Sequence, residues 1–225
     1  MPGHSIPTAR KHYIEEGSGD VIVLLYGLFG SVKNFESLVC HLKKTHRVIV
    51  PVFPFYDLGT SVDIFTLTGF VHELTGELGL KKFHLLGNSM GGHIALLYAL
   101  NYPDKIRSLI LSGSSGLYES GMGDSYPRRR DYNYIKTKAE LTFYDPCNAS
   151  RELVDEIYAT VNSRKAIQII SLAKSTIRNN LGKQLPCISA NCCLIWGRND
   201  IVTPPEVAKE FNRLIPNSTL YWIEQ

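Results

Sequence analysis

The segment Gly87-Asn88-Ser89-Met90-Gly91-Gly92 constrains this chain more than any other, because it joins a short apolar run, Phe83 to Leu86, to an apolar helical stretch, His93 to Asn101. A serine at such a strand-to-helix turn sits on a sharp, strained corner. The residues two before and two after it must be too small to collide, and Gly87 and Gly91 meet that demand. Average glycine and serine usage would produce the spacing by chance only about a tenth of a time in a chain of this size. A glycine-rich helix start can also cradle a phosphate, but the G-x-G-x-x-G spacing and the P-loop lysine are absent. Ser89 is therefore read as a nucleophile, and a serine here, rather than an aspartate, directs the chemistry to acyl-type transfer.

The rest of the pattern supplies a scaffold for that corner. Val21 to Tyr26, Val48 to Val52 and Ile106 to Leu111 are apolar on both faces, as buried parallel strands are. Between Asp63 and Leu80 the apolar residues recur at three- and four-residue steps until Gly79, which marks a helix with a C-terminal stop. Strands and helices alternating at this interval predict βαβ units and a mostly parallel sheet with helices on both faces. The alternation breaks at Ser112 and resumes at the strand Cys192 to Trp196, followed by a helix over Pro204 to Leu214 and a strand over Ser218 to Ile223. The chain thus divides into a core, residues 1–111 and 192–225, and a connecting region with a helical cap, residues 112–191. Within the cap a helix starts near Asn148 to Glu152.

Composition narrows the function further. With 24 Lys plus Arg against 21 Asp plus Glu, a formal charge of +3 and 44% apolar residues, the 225-residue chain fits one globular domain. It has no character of a nucleic-acid binder. The first residues lack the apolar centre of a signal peptide, and no stretch is long enough to span a membrane, so a cytoplasmic location is expected. The five cysteines lack metal-ligand spacing and read as reduced, buried thiols. The basic run Tyr126 to Asp131 reads as a solvated cap loop. The expected partner is a small-molecule substrate bound by a monomer or homodimer, with no nucleic acid, membrane, metal or organic cofactor.

A serine nucleophile needs donors for the oxyanion formed at the carbonyl it attacks. One is the backbone N–H of Met90, at the helix start, and the other is the N–H of Leu28, in the loop Tyr26-Gly27-Leu28-Phe29-Gly30 after the first long strand. The acid expected after a later strand is Asp200, in Trp196-Gly197-Arg198-Asn199-Asp200; an aspartate there can also serve as a helix cap or turn residue.

With these residues in place the chain resembles the α/β-hydrolase superfamily over nearly its whole length. Gly-Asn-Ser-Met-Gly-Gly-His at 87 to 93, Asn34-Phe35, and Phe143-Tyr144-Asp145 leading into Glu152-Leu153 are similar to the meta-cleavage-product hydrolases, which split carbon–carbon bonds in ring-opened dienols. The resemblance implies an α/β-hydrolase fold with a helical cap inserted after the strand that follows the nucleophile helix. It also implies that Asn34 and Asn88 line the polar part of a substrate pocket.

Three departures from that pattern shape the expectation. Tyr26-Gly27 stands where the superfamily usually has His-Gly. Ile157 precedes Tyr158 where the carbon–carbon hydrolases carry an arginine for the substrate carboxylate, which favours an ester or other neutral acyl substrate. Finally, the superfamily's base is a histidine after the last strand, whereas all seven histidines here precede Asp200. The expectation is a serine hydrolase whose sequence is shortened at its C-terminal end, the catalytic histidine following Gln225. A carbon–carbon hydrolase and a non-catalytic binding protein of the same fold are the alternatives.

Overall fold

The computed structural model describes residues 12–119 and 128–224. Seven strands form one sheet in the order β1-β3-β2-β4-β5-β6-β7. They are β1 (Tyr13–Glu16), β2 (Asp20–Leu25), β3 (His46–Pro51), β4 (Phe83–Asn88), β5 (Ile106–Ser112), β6 (Asn191–Gly197) and β7 (Ser218–Ile223). Only β1 runs antiparallel to its neighbour, pairing Tyr13 with Pro51 through Glu16 with Val48; the other pairs are parallel. The central strands bury residues on both faces, Val23, Leu24 and Leu25 on β2 among them, as the continuous apolar runs require. β1, Tyr-Ile-Glu-Glu with three of its four residues exposed, carries no such run and escapes a reading by hydrophobic pattern.

The core helices are α1 (Glu36–Leu42), α2 (Ile64–Glu77), α3 (Met90–Asn101) and α7 (Pro205–Leu214). Asp63 caps α2 by accepting the Thr66 N–H at 2.7 Å, and Gly79 with φ +64° takes the chain out of it. Helix α3 buries every residue from Met90 to Ala99, so it is apolar all round rather than amphipathic. It starts at Met90, and β4 continues through Gly87 and Asn88. The predicted six-residue turn is thus in fact a single residue, Ser89.

Between β5 and β6 lie α4 (Tyr132–Glu140), α5 (Arg151–Val161) and α6 (Ala166–Arg178). Ser150 caps α5 by accepting the Leu153 N–H at 3.2 Å. The cap is tied to the core at several points. The Ile64 N–H donates to Ser175 Oγ at 3.1 Å, and within the connecting region the segment entering the cap is tied to the segment leaving it, the Leu181 N–H donating to the Gly116 carbonyl at 2.7 Å and Asn180 Nδ2 to the Leu117 carbonyl at 2.6 Å. Lys165 Nζ lies 4.4 Å above the ring of Tyr56.

Two expectations change. Cys40, Cys147 and Cys187 are exposed rather than buried, and all five thiols are free; Cys147 sits in a polar turn and Cys40 on the outer side of α1, where no packing surface reaches them. In the basic run, Tyr126 and Pro127 lie outside the described residues. Arg128 is not merely solvated: it pairs with Asp131 at 3.2 Å and stacks over Tyr134 at 4.1 Å.

Candidate active site

Ser89 occupies φ +53°, ψ −122°, a conformation that costs a non-glycine residue on the order of 1–3 kcal/mol unless the surroundings enforce it. They do so by leaving no room for side chains on either flank. A Cβ at Gly87 would meet the Gly91 carbonyl oxygen at 2.3 Å, one at Gly91 the Leu25 carbonyl oxygen at 2.1 Å, and one at Gly92 the Ser114 hydroxyl at 2.2 Å. Hydrogen bonds hold the corner from below. The Ser89 N–H donates to the Ser112 carbonyl at 3.1 Å, and Asn88 Nδ2 donates to that same carbonyl at 3.0 Å. The Ser89 carbonyl accepts from the N–H groups of Gly92 at 2.9 Å, His93 at 3.2 Å and Ser115 at 3.1 Å.

The loop after β2 comes directly against this serine. A Cβ on Gly27 would stand 3.3 Å from Ser89 Oγ, so only glycine lets the loop approach so closely. Gly27 to Gly30 form a turn closed by Gly30 N–H to Gly27 O at 3.0 Å, with Phe29 at φ +59°. The Leu28 N–H lies inside that turn and the Met90 N–H opens α3; among the described residues neither donates to a protein acceptor. Both are thus available to an oxyanion beside Ser89.

Tyr26 shows how the loop is held without the usual histidine. Its ring is buried edge-on against Phe53 and Phe55, its hydroxyl accepts the Phe53 N–H at 2.7 Å, and it forms the floor on which Gly30 rests. Burial pushes the phenol up to about 12, so it stays a neutral structural group. Phe53 and Phe55 belong to the core, whereas the neighbouring Tyr56 is partly exposed.

Asp200 follows β6 and lies against Gly113, which follows β5: a Cβ on Gly113 would be 3.2 Å from Asp200 Oδ2. Its own loop orients it. Oδ1 accepts the N–H groups of Val202 at 2.9 Å and Thr203 at 2.8 Å, and Oδ2 accepts the Thr203 hydroxyl at 2.9 Å. Buried Trp196 fixes that loop in turn, donating its indole N–H to the Thr203 carbonyl at 2.8 Å. Asp200 therefore serves as a turn residue, and its carboxylate is held at the same end of the sheet as Ser89, one strand beyond β5.

The two asparagines have local duties. Asn88 ties β4 to β5 beneath the corner, as above. Asn34 is exposed, and its Oδ1 accepts the Ser31 N–H at 2.7 Å in a capping box over the short 3₁₀ turn Val32–Phe35. Among the described residues no imidazole hydrogen-bonds to Ser89 or Asp200. His84 Nδ1 meets the Ser108 hydroxyl at 2.7 Å near the start of β4, His72 stacks on Tyr102 at 3.8 Å, and His46 lies beside His84. No group of three or more metal-ligating side chains occurs among the described residues either.

The family profile described as the alpha/beta hydrolase fold matches residues 20–225. The chain belongs to the α/β-hydrolase family. A solved structure from this family, the α/β-hydrolase enzyme MGS-MChE2 from a sediment metagenome of the Mar Chica lagoon, is 36% identical with a TM-score of 0.77, covering 95% of this chain and 84% of its own. Among sequence relatives, a 2-hydroxy-6-oxo-6-phenylhexa-2,4-dienoate hydrolase of Comamonas testosteroni is 25% identical over 86% of this chain and 76% of its own length. Lipase 1 of Psychrobacter immobilis is 23% identical over 94% of this chain and 73% of its own. In this α/β-hydrolase the strand order places Ser89 at the end of β4, in the middle of the sheet.

His93 is the buried polar group this site leaves unexplained by chemistry. It is fully enclosed beneath Gly116 and Leu96, and neither ring nitrogen makes a hydrogen bond of ordinary geometry. Burial holds the imidazole down to about 4, with the neighbouring Asn179 backbone only partly countering it. The unfolded chain takes up a proton near pH 6.5 that the folded chain refuses, so this contribution is fully present above that pH. It is lost as pH falls towards 4, by about 3 kcal/mol in all. Urea midpoints measured at pH 7.5 and pH 4.5 should therefore converge in His93→Leu relative to the wild type. An unchanged pH dependence would show that the ring is not held neutral.

Proposed function

We propose that this hydrolase acts by acyl-enzyme chemistry: Ser89 attacks the carbonyl of a small ester, the Leu28 and Met90 N–H groups hold the oxyanion, and water then releases the acid. The observation that supports this reading is the approach of Gly27 to Ser89 Oγ, together with Leu28 and Met90 N–H groups that donate to no acceptor among the described residues. In this reading Asp200 orients the imidazole that takes the Ser89 proton. No metal or organic cofactor takes part.

The ester assignment rests on the cap. By its resemblance to the carbon–carbon hydrolases, α5 has Ile157 before Tyr158 where they carry an arginine before an aromatic, and the Tyr158 hydroxyl is occupied in donating to the Arg130 carbonyl at 3.2 Å. A substrate carboxylate would lose a charge-assisted partner of about 1.5–3 kcal/mol, which leaves neutral acyl groups favoured. Comparing kcat/KM for short p-nitrophenyl esters and for a ring-opened 2-hydroxy-6-oxo-dienoate decides the matter. The expected result is a preference for the ester of at least about tenfold, whereas a preference for the dienoate would replace this reading with carbon–carbon cleavage. The same reading has the protein act as a monomer or homodimer in the cytoplasm on a small-molecule substrate.

A further inference from the structure

The carbonyl of Ser89 and the N–H of Met90 belong to one peptide group. That group is planar and trans, so the two bonds point in opposite directions and turn together. Whatever fixes the Ser89 carbonyl therefore aims the Met90 N–H, which opens α3 beside the nucleophile. Four donors converge on this carbonyl. Two of them, the N–H groups of Gly92 at 2.9 Å and His93 at 3.2 Å, belong to α3 itself and move with it. The other two come from one residue of a different segment: Ser115 gives its N–H at 3.1 Å and its hydroxyl at 3.3 Å.

Ser115 is a firm support, because hydrogen bonds hold its segment on both sides. The Gly113 N–H donates to the Ile195 carbonyl of β6 at 3.2 Å, and the Ser115 carbonyl accepts the Ser114 hydroxyl at 2.7 Å. The next two carbonyls, of Gly116 and Leu117, accept from the Leu181 N–H at 2.7 Å and from Asn180 Nδ2 at 2.6 Å. The segment is thus pinned to the sheet and to the chain leaving the cap. Gly92 lets it come this close to α3, since a Cβ there would stand 2.2 Å from the Ser114 hydroxyl.

Hydrogen bonds to a carbonyl also act on the far end of its amide. Each one draws electron density from the nitrogen and strengthens the N–H as a donor, by about 10–30% per bond. The Ser115 hydroxyl therefore affects the Met90 N–H twice, through its direction and through its polarity. Both effects count most when the substrate oxygen carries a full negative charge, and little while the ester carbonyl is neutral.

Resting on the serine-hydrolase reading, we propose that Ser115 is a positioning residue for the oxyanion site: its N–H and hydroxyl hold the Ser89–Met90 peptide so that the Met90 N–H meets the oxyanion. At 1% exposure it touches no substrate itself. Its hold enters the rate of attack and not the binding of the ester.

The test compares Ser115→Ala, which keeps the N–H and loses the hydroxyl, with Ser115→Thr, which keeps both, in the full-length protein. Ser108→Ala is the control, because it removes a serine hydroxyl that bonds only to His84 near the other end of the strands. Each variant is assayed by hydrolysis of p-nitrophenyl butyrate and by hydrogen exchange of the peptide spanning residues 85–97. Inhibition by a trifluoromethyl ketone is the third readout: Ser89 Oγ adds to its carbonyl carbon, the Ser89 proton passes to the imidazole, and the carbonyl oxygen becomes an oxyanion. Ser115→Ala is expected to lower kcat about fivefold with KM within about twofold, to weaken the ketone by a similar factor, and to speed exchange at the corner. Ser115→Thr should recover most of all three, and Ser108→Ala should change none. Wild-type kcat in Ser115→Ala, a loss carried by KM, or a loss no larger than that of Ser108→Ala would overturn the proposal. If Ser115→Thr does not fold, the ketone still decides, since unchanged inhibition of Ser115→Ala would overturn it equally. If Ser89→Ala hydrolyses the ester as fast as wild type, the hydrolase reading fails instead, and exchange at the corner alone decides whether Ser115 holds the peptide.

Discussion

Replacing Ser89 with alanine is expected to lower kcat for ester hydrolysis by at least about 10⁴-fold while leaving the unfolding midpoint nearly unchanged. The size of the loss follows from what a nucleophile supplies: without the Oγ there is no acyl-enzyme, and only binding and the oxyanion donors remain to aid water. Stability should hold because the contacts that enforce φ +53° at residue 89 are backbone contacts, through the Ser112 carbonyl and the N–H groups of Gly92, His93 and Ser115. Alanine keeps every one of them. A variant retaining more than about a tenth of the wild-type rate would place the nucleophile elsewhere.

The second large effect concerns the fold around that serine. Gly91→Val should destabilise the protein by about 3–5 kcal/mol, enough to abolish folding in a marginal domain. The first added carbon would lie 2.1 Å from the Leu25 carbonyl oxygen and 2.7 Å from that of Tyr26, and neither backbone group can retreat, since Leu25 is paired with Gly87 in the centre of the sheet. Gly69, inside α2 with nothing within 4 Å of its missing Cβ, is the matched control. There Gly69→Ala should raise stability by about 0.5–1 kcal/mol, the usual helix-interior gain. Urea denaturation of the two variants reads both signs at once.

The corner at Ser89 was legible in the sequence because its requirement is steric and local: no residue but glycine fits at 87 and 91, so the pattern of small residues is the structure. The central strands were legible for a similar reason, being apolar on both faces. β1 was not, because an exposed antiparallel edge strand needs no apolar residues, and Tyr13 to Glu16 has almost none buried. The Asn34 amide illustrates a signal that was present in a different form. Ser31-Val32-Lys33-Asn34 has the spacing of a capping box, and that local hydrogen bonding is where the side chain is found. Ser115 had no signal at all, because its bonds to the Ser89 carbonyl have no period and arise only once β5 has brought Ser112 beside Asn88. Asp200 lay between these cases: its position after a strand was readable, but the bonds from Val202 and Thr203 that aim it were not.

The central claim, that Ser89 is an activated nucleophile, is tested most directly by treating the full-length protein with a fluorophosphonate and locating the adduct by mass spectrometry. One phosphonyl group on the peptide that contains Ser89, and none on Ser89→Ala, is the predicted result. An unlabelled Ser89, or equal labelling of the wild type and Ser89→Ala, would contradict it.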